Sequence, residues 1–317
     1  MHFYDASDGE RLLGGLHQNG SITEANFLDM LDFLLVTHSP VRVQDRFSCH
    51  EVARTAKTLE PGMYDVRCKG SSNSGQCLFW ASCAHHLTPG PIKLTDEPWL
   101  PRLVTHSAST PDDTFSNSVR TRDGKCVISG PANPISFHEP TGTEATHIFP
   151  RDNEDCWVEY NLARHVTDMD GFPDASKLSS AQNGLLLGTH IRQLWDQCVV
   201  SVNPDVSRLP LFQRQNLNRH QDNYKVVVFG LDMHGLDGRT LGPACRDPSD
   251  PHRVSDALLR WHYRQCVLAN VRGEGEPIFD GISPGADAIQ EMEDGPYAKE
   301  RFEMEMSARL RGFDNGD

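Results

Sequence analysis

The chain has 317 residues, 38% of them apolar and 23% charged, a balance that suits a globular protein of one large or two ordinary domains. No apolar run approaches the roughly 20 residues that span a bilayer, so no membrane partner is expected. The formal net charge of −14 counts against a broad polyanion-binding surface, because DNA binders draw most of their affinity from Lys and Arg on phosphates.

The opening residues Met1 to Asp5 lack a basic start followed by an apolar core, which predicts no secretory signal. The nine cysteines are irregularly spaced and read as reduced thiols. Together these place the chain inside the cell, in the cytoplasm with the nucleus as the alternative. Residues 21–36 predict a helix. Ser21 can cap it, Glu24 can close a capping box, and Phe27, Leu28, Leu31, Leu34 and Leu35 recur at helical spacing. Residues 1–105 read as a loop-rich N-terminal region of mixed type, with Cys77–Cys83 as a buried element. Residues 106–118 are polar and turn-rich and read as a linker, leaving 119–317 as the second domain.

Beyond the linker the texture changes. Cys126-Val127-Ile128 and Ala145–Phe149 are short apolar elements preceding a helix, which fits a β-β-α unit. Leu185-Leu186-Leu187 leads into a helix with Leu194 and Trp195. Tyr224–Phe229 is the strongest strand signal. Leu258, Trp261, Val267 and Leu268 mark a helix ending before Gly273, and a last helix is expected over 288–311. The polar stretch holding Arg208, Arg214, Arg219 and His220 is the longest basic cluster. Residues 206–222, with Leu209-Pro210-Leu211-Phe212 inside, read as a lid or as a tolerated surface insertion.

Cys126-Val127-Ile128-Ser129-Gly130, Glu144-Ala145-Thr146-His147-Ile148-Phe149-Pro150, Gln182-Asn183-Gly184-Leu185-Leu186-Leu187 and Gln193-Leu194-Trp195-Asp196 stand in order along the chain. This layout resembles the fungal branch of the HNH endonuclease family, and the likeness continues through Leu258–Asn270 and Pro284-Gly285-Ala286-Asp287. The resemblance implies an α+β protein: an HNH-like ββα-metal module within a larger mixed domain, beside the loop-rich N-terminal region. It implies His147 as the general base and Asn183 as the residue that orients the base or supports its loop. The family's last His, a ligand of one divalent metal, falls on Arg192. Thr146 stands where a second ligand is often found, and a hydroxyl is a poor one. His190 lies two residues before Arg192, about 200° round a helix, and should face away from it. Glu144 lies three residues before His147 on a strand and should point to the opposite face.

A phosphodiester gains negative charge in its transition state, and a metal ion neutralises that charge. A guanidinium cannot bind a metal. The expectation is therefore no metal and no cofactor, with Mg, Mn or Zn returning only if the chain cuts DNA. Three readings follow. In the first, the fold is repurposed for a small-molecule substrate in fungal secondary metabolism, as an isomerase, cyclase or lyase. His147 then moves protons, Arg192 clamps an anion, and His165, His190 and Trp195 line the substrate. The second is a metal-dependent DNA endonuclease, the one reading with nucleic acid as partner. The third is a non-catalytic anion-binding protein. The bland reading of Arg192 is an ion pair with Asp196 at i, i+4. Elsewhere Cys68, Cys77, Cys83 and His85 fit no common zinc spacing. Asp168, Asp170 and Asp174 form an acidic loop, and Trp157, Trp195 and Trp261 also read as core, which for Trp195 is the alternative to a substrate contact.

Overall fold

A computed structural model of the chain describes residues 1–9, 11–37, 40–68, 92–100, 113–130, 142–168, 176–205 and 224–272. The first part is a four-stranded sheet in the order β2-β1-β5-β4, built from β1 (His2–Asp5), β2 (Leu12–Gly15), β4 (Val41–Asp45) and β5 (Met63–Cys68). β1 runs parallel to β5 and the other pairings are antiparallel. Phe3, Val43, Tyr64 and Val66 turn their side chains into the core while their neighbours face outward, the alternation of a half-buried sheet. Two short strands, β3 (Leu35–Val36) and β6 (Lys93–Leu94), pair beside it.

Helix α1 (Glu24–Leu34) covers this sheet and buries Phe27, Met30, Leu31 and Leu34 on one stripe. Its cap differs from the Ser21–Glu24 box expected. Thr23 is the N-cap, and the box closes with Asn26: each residue's side chain accepts from the other's backbone N–H at 3.2 Å. Thr23 holds the extended backbone that a cap needs. Ser21 is engaged elsewhere, donating from its hydroxyl to Asp237 at 2.7 Å, and Glu24 accepts from the Thr55 hydroxyl.

The second part starts one helix earlier than expected. Residues 113–118, read as linker, are the first half of α2 (Asp113–Asp123), whose Phe115 and Val119 are buried four residues apart. Cys126–Ile128 is no strand of the β-β-α unit. Gly130, at φ 80°, donates its amide back to the Cys126 carbonyl and closes a turn. The unit instead consists of β7 (Thr143–His147), β8 (Gly184–Gly188) and α4 (Thr189–Asp196). Between the two strands lie a 3-10 turn, α3 (Glu154–Glu159) and further 3-10 turns. β9 (Val200–Asn203) pairs antiparallel with β10 (Lys225–Val228), and α5 (Asp256–Asn270) packs across β9. The fold is α+β.

The two parts share a core. Leu258 and Leu259 of α5 pack with Trp195, Ile148 and Val202, whereas Tyr263, Cys266 and Val267 pack with Phe3, Phe27 and Leu31 of the N-terminal part. Polar ties cross the same boundary: Asn19 donates to the carbonyls of Val228 and Gly230, and Arg272 to those of Thr95 and Glu97. Gly14 marks the closest approach, since a Cβ there would sit 2.1 Å from the Val271 carbonyl oxygen and 2.4 Å from the Phe3 ring. Gly14→Ala is expected to cost about 1 to 3 kcal/mol as overpacking. Urea unfolding should show a lower midpoint at unchanged slope, and an unshifted midpoint would mean the two parts do not meet there. No helix among the described residues is long and apolar enough to cross a membrane. The expected Cys77–Cys83 element, the first half of the linker, the 206–222 segment with its basic cluster and the 288–311 helix lie outside the described residues.

Candidate functional site

The β7–β8 ribbon has one helix on each face. Its register sets His147 opposite Gly184 and Ala145 opposite Leu186, all turned toward α2. Glu144 opposite Leu187 and Thr146 opposite Leu185 turn the other way, toward α4. The sequence parity of Glu144 and His147 is thus realised in space.

On the α2 face the His147 ring lies flat on Phe115, with centroids 3.8 Å apart and planes within 8°. Gly184 makes that contact possible: a Cβ there would meet the Phe115 ring at 2.7 Å and Val119 at 2.6 Å. Asn183, fully buried, clamps the loop behind His147. Its Oδ1 accepts from the Phe149 amide at 2.8 Å, and its Nδ2 donates to the carbonyls of Phe149 at 3.2 Å and Leu178 at 3.0 Å. It supports the loop after β7 and thereby fixes where His147 leaves the strand.

Beneath the ribbon, Arg122 and Asp123 at the end of α2 form a buried pair, Nε to Oδ1 at 2.6 Å. Arg122 also donates to the carbonyls of Ala181, Gly184 and His252, and Asp123 accepts from the Leu186 amide at 2.9 Å. These charges hold α2, the turn before β8 and the loop before α5 in one arrangement. Their adjacency in the chain gave no hint of burial, since neighbouring opposite charges usually lie on the surface.

On the α4 face stands Arg192. Its guanidinium meets Glu144 of β7 and, 3.3 Å away, Asp196 one turn on along its own helix. Both the bland pairing expected with Asp196 and a second, cross-element pairing are therefore present. The donor set does not fit a divalent ion. The position the layout gives to a metal-binding imidazole holds a permanent cation, and the two nearby carboxylates are already paired with it. Thr146 adds only a buried hydroxyl, 3.4 Å from the Glu144 carbonyl.

The remaining expected site residues disperse. His147 and Arg192 lie on opposite faces of the ribbon, so the structure does not bring the proposed base and clamp together. His190 is exposed and faces His234, ring centroids 5.1 Å apart, away from Arg192 as its helical position requires. His165 sits on a 3-10 turn. Burial, with the Arg164 and Arg260 charges beside it, holds its pKa below the usual value. Trp195, expected at the substrate, is fully buried and stacks on His262 at 3.7 Å with planes within 2°. Its place on the inner stripe of a short helix makes it core. Asp168 of the acidic loop accepts from the Ser180 hydroxyl at 2.5 Å and meets His252 at 3.0 Å; Asp170 and Asp174 lie outside the described residues.

Comparison with known proteins gives two matches along the chain. Residues 126–203 match the family model described as HNH endonuclease, and residues 1–73 match that of a domain of unknown function, DUF8573. No curated protein and no solved structure matches the chain. The matched stretch ends with β9 and contains β7, β8, α4, His147 and Asn183. Residues 126–203 are accordingly an HNH endonuclease-family domain, nuclease-like in its β-β-α order, set within an α+β chain.

Proposed function

We propose that this chain is a nuclease-like HNH protein that has lost metal-dependent phosphodiester cleavage. One observation carries the reading: Arg192, at the position where the resemblance implies a metal-binding His, is tied to Glu144 and Asp196. A dication at that point would have to expel a guanidinium from between two carboxylates. A base acting on a phosphodiester without that ion faces an unneutralised anion, and the barrier rises steeply. The net charge of −14 adds to the repulsion.

A second reading rests on what is retained. His147 keeps an imidazole, a group suited to acid–base chemistry, positioned by the Asn183 loop and the Phe115 stack. That supports proton transfer on a small molecule, the step common to isomerases, cyclases and lyases, with His147 acting without Arg192. Binding of an anion by Arg192 alone is less favoured, because its charge is already met by two carboxylates.

Plasmid nicking by the full chain in Mg, Mn and Zn tests the proposal. No nicking above buffer, with His147→Ala identical to wild type, is the expected result. Metal-dependent nicking that His147→Ala abolishes would establish an active endonuclease and refute the proposal. Arg192→Ala is expected to cost about 0.2 to 1 kcal/mol in stability, since the pair is half exposed; thermal melts at low and high salt measure it. A larger, salt-insensitive loss would show the pair to be structurally essential rather than a substitute for a ligand.

A further inference from the structure

Cys198, His262 and Cys266 converge in the core behind α4, away from the His147 ribbon face. All three are buried, and one ligand atom from each lies within 4.8 Å of the others. His262 and Cys266 are one helical turn apart on α5, the i, i+4 spacing that sets two side chains on one face. Cys198 reaches them from the turn that ends α4. It holds φ 59°, the left-handed position after a helix C-cap where glycine is the usual residue. A cysteine there accepts backbone strain in exchange for aiming a thiol inward. Asn270 ties the two cysteine segments together, donating to the carbonyls of Cys198 at 2.9 Å and Cys266 at 2.8 Å.

We propose that Cys198, Cys266 and the Nδ1 of His262 form a buried zinc site, with a water in the fourth position. The Cys266 sulfur lies 3.7 Å from His262 Nδ1 and 3.9 Å from its Nε2, so a turn of the thiol toward the Nδ1 lone pair brings both onto one ion. A tetrahedral zinc with bonds of about 2.3 Å to sulfur and about 2.0 Å to nitrogen requires an S···N edge of about 3.5 Å. Ser201 Oγ, 2.8 Å from the same nitrogen, makes the hydrogen bond that the ion would displace. The other ring nitrogen, Nε2, faces the Trp195 carbonyl at 3.3 Å, and the Trp195 indole stacks on the ring. An Nε2–H donated to that carbonyl leaves Nδ1 as the lone-pair nitrogen, the way a backbone oxygen commonly orients a metal-binding imidazole. On binding, each thiol releases its proton to solvent. Two thiolates then cancel the dication, so the buried site carries no net charge. The ion would pin the end of α4 to α5, which supports both cores.

Zinc content of the full chain, purified without chelator, tests this. About one zinc per chain is expected, falling to trace levels in Cys198→Ser and Cys266→Ser and unchanged in Cys245→Ser, a buried cysteine outside the cluster. Should those variants fail to fold, cobalt titration of metal-stripped wild type serves instead, with tetrahedral visible bands and a thiolate charge-transfer band expected. Zinc-free wild type without cobalt bands would reduce the cluster to packed thiols. A mass lower by two hydrogens would reveal a Cys198–Cys266 disulfide, and zinc retained by both variants would place the ion elsewhere. Each of these results would overturn the proposal.

Discussion

Replacing Arg122 by alanine is expected to lower stability by about 3 to 5 kcal/mol, the loss that follows when one partner of a buried pair is removed. The Arg122 and Asp123 side chains are 2% and 0% exposed. Truncation strands the Asp123 carboxylate in the core and leaves the carbonyls of Ala181, Gly184 and His252 without their donor. Removing both charges should recover part of the loss, because the stranded carboxylate disappears with its partner. Urea unfolding of Arg122→Ala, Asp123→Ala and the double variant measures this. Additive losses would show that the two charges do not depend on each other.

Asn183→Ala should cost about 2 to 4 kcal/mol, through buried groups left unsatisfied rather than through the small net worth of each bond. The Phe149 amide and the carbonyls of Phe149 and Leu178 all lose their partner at a site without water access. Asn183→Asp should be nearly as damaging, because it sets carboxylate oxygens against two carbonyls. A cost below about 1 kcal/mol for both substitutions would be that of a surface residue. Asn183 would then be free for a direct role in chemistry instead of supporting the loop.

Much of the architecture was legible from patterning. The stripe of Phe27, Leu31 and Leu34, the β-branched run before Phe229 and the apolar face of α5 each follow one period and appear where that period places them. The candidate site was legible as order along the chain, from Glu144 to Asp196, and the strand parity of Glu144 and His147 survived into space. What escaped depended on distant partners. Helix α2 shows only Phe115 and Val119 among polar residues, so its buried stripe resembled a linker, yet it supplies the ring under His147. The Arg122–Asp123 pair reads as surface until the backbone carbonyls around it are known. The cysteine–histidine cluster joins Cys198 to a turn of helix 64 residues on. Its one local sign was a His and a Cys four apart, too common a spacing to single out. Trp195 carried two readings, substrate contact and core, and the inner stripe of α4 places it in the core.

The central claim concerns one side chain, so the most direct test changes it and reads the metal rather than the reaction. Manganese is a hard ion that favours carboxylates and imidazole over thiols, which separates this position from the cysteine cluster. Calorimetric titration of manganese into wild type and into Arg192→His, at equal protein concentration, compares a guanidinium with an imidazole between Glu144 and Asp196. The account predicts no binding heat for wild type and about one site for Arg192→His, with Glu144→Gln in that background abolishing it. Saturable manganese binding by wild type that Glu144→Gln removes would contradict it, since the position would then hold an ion with Arg192 in place.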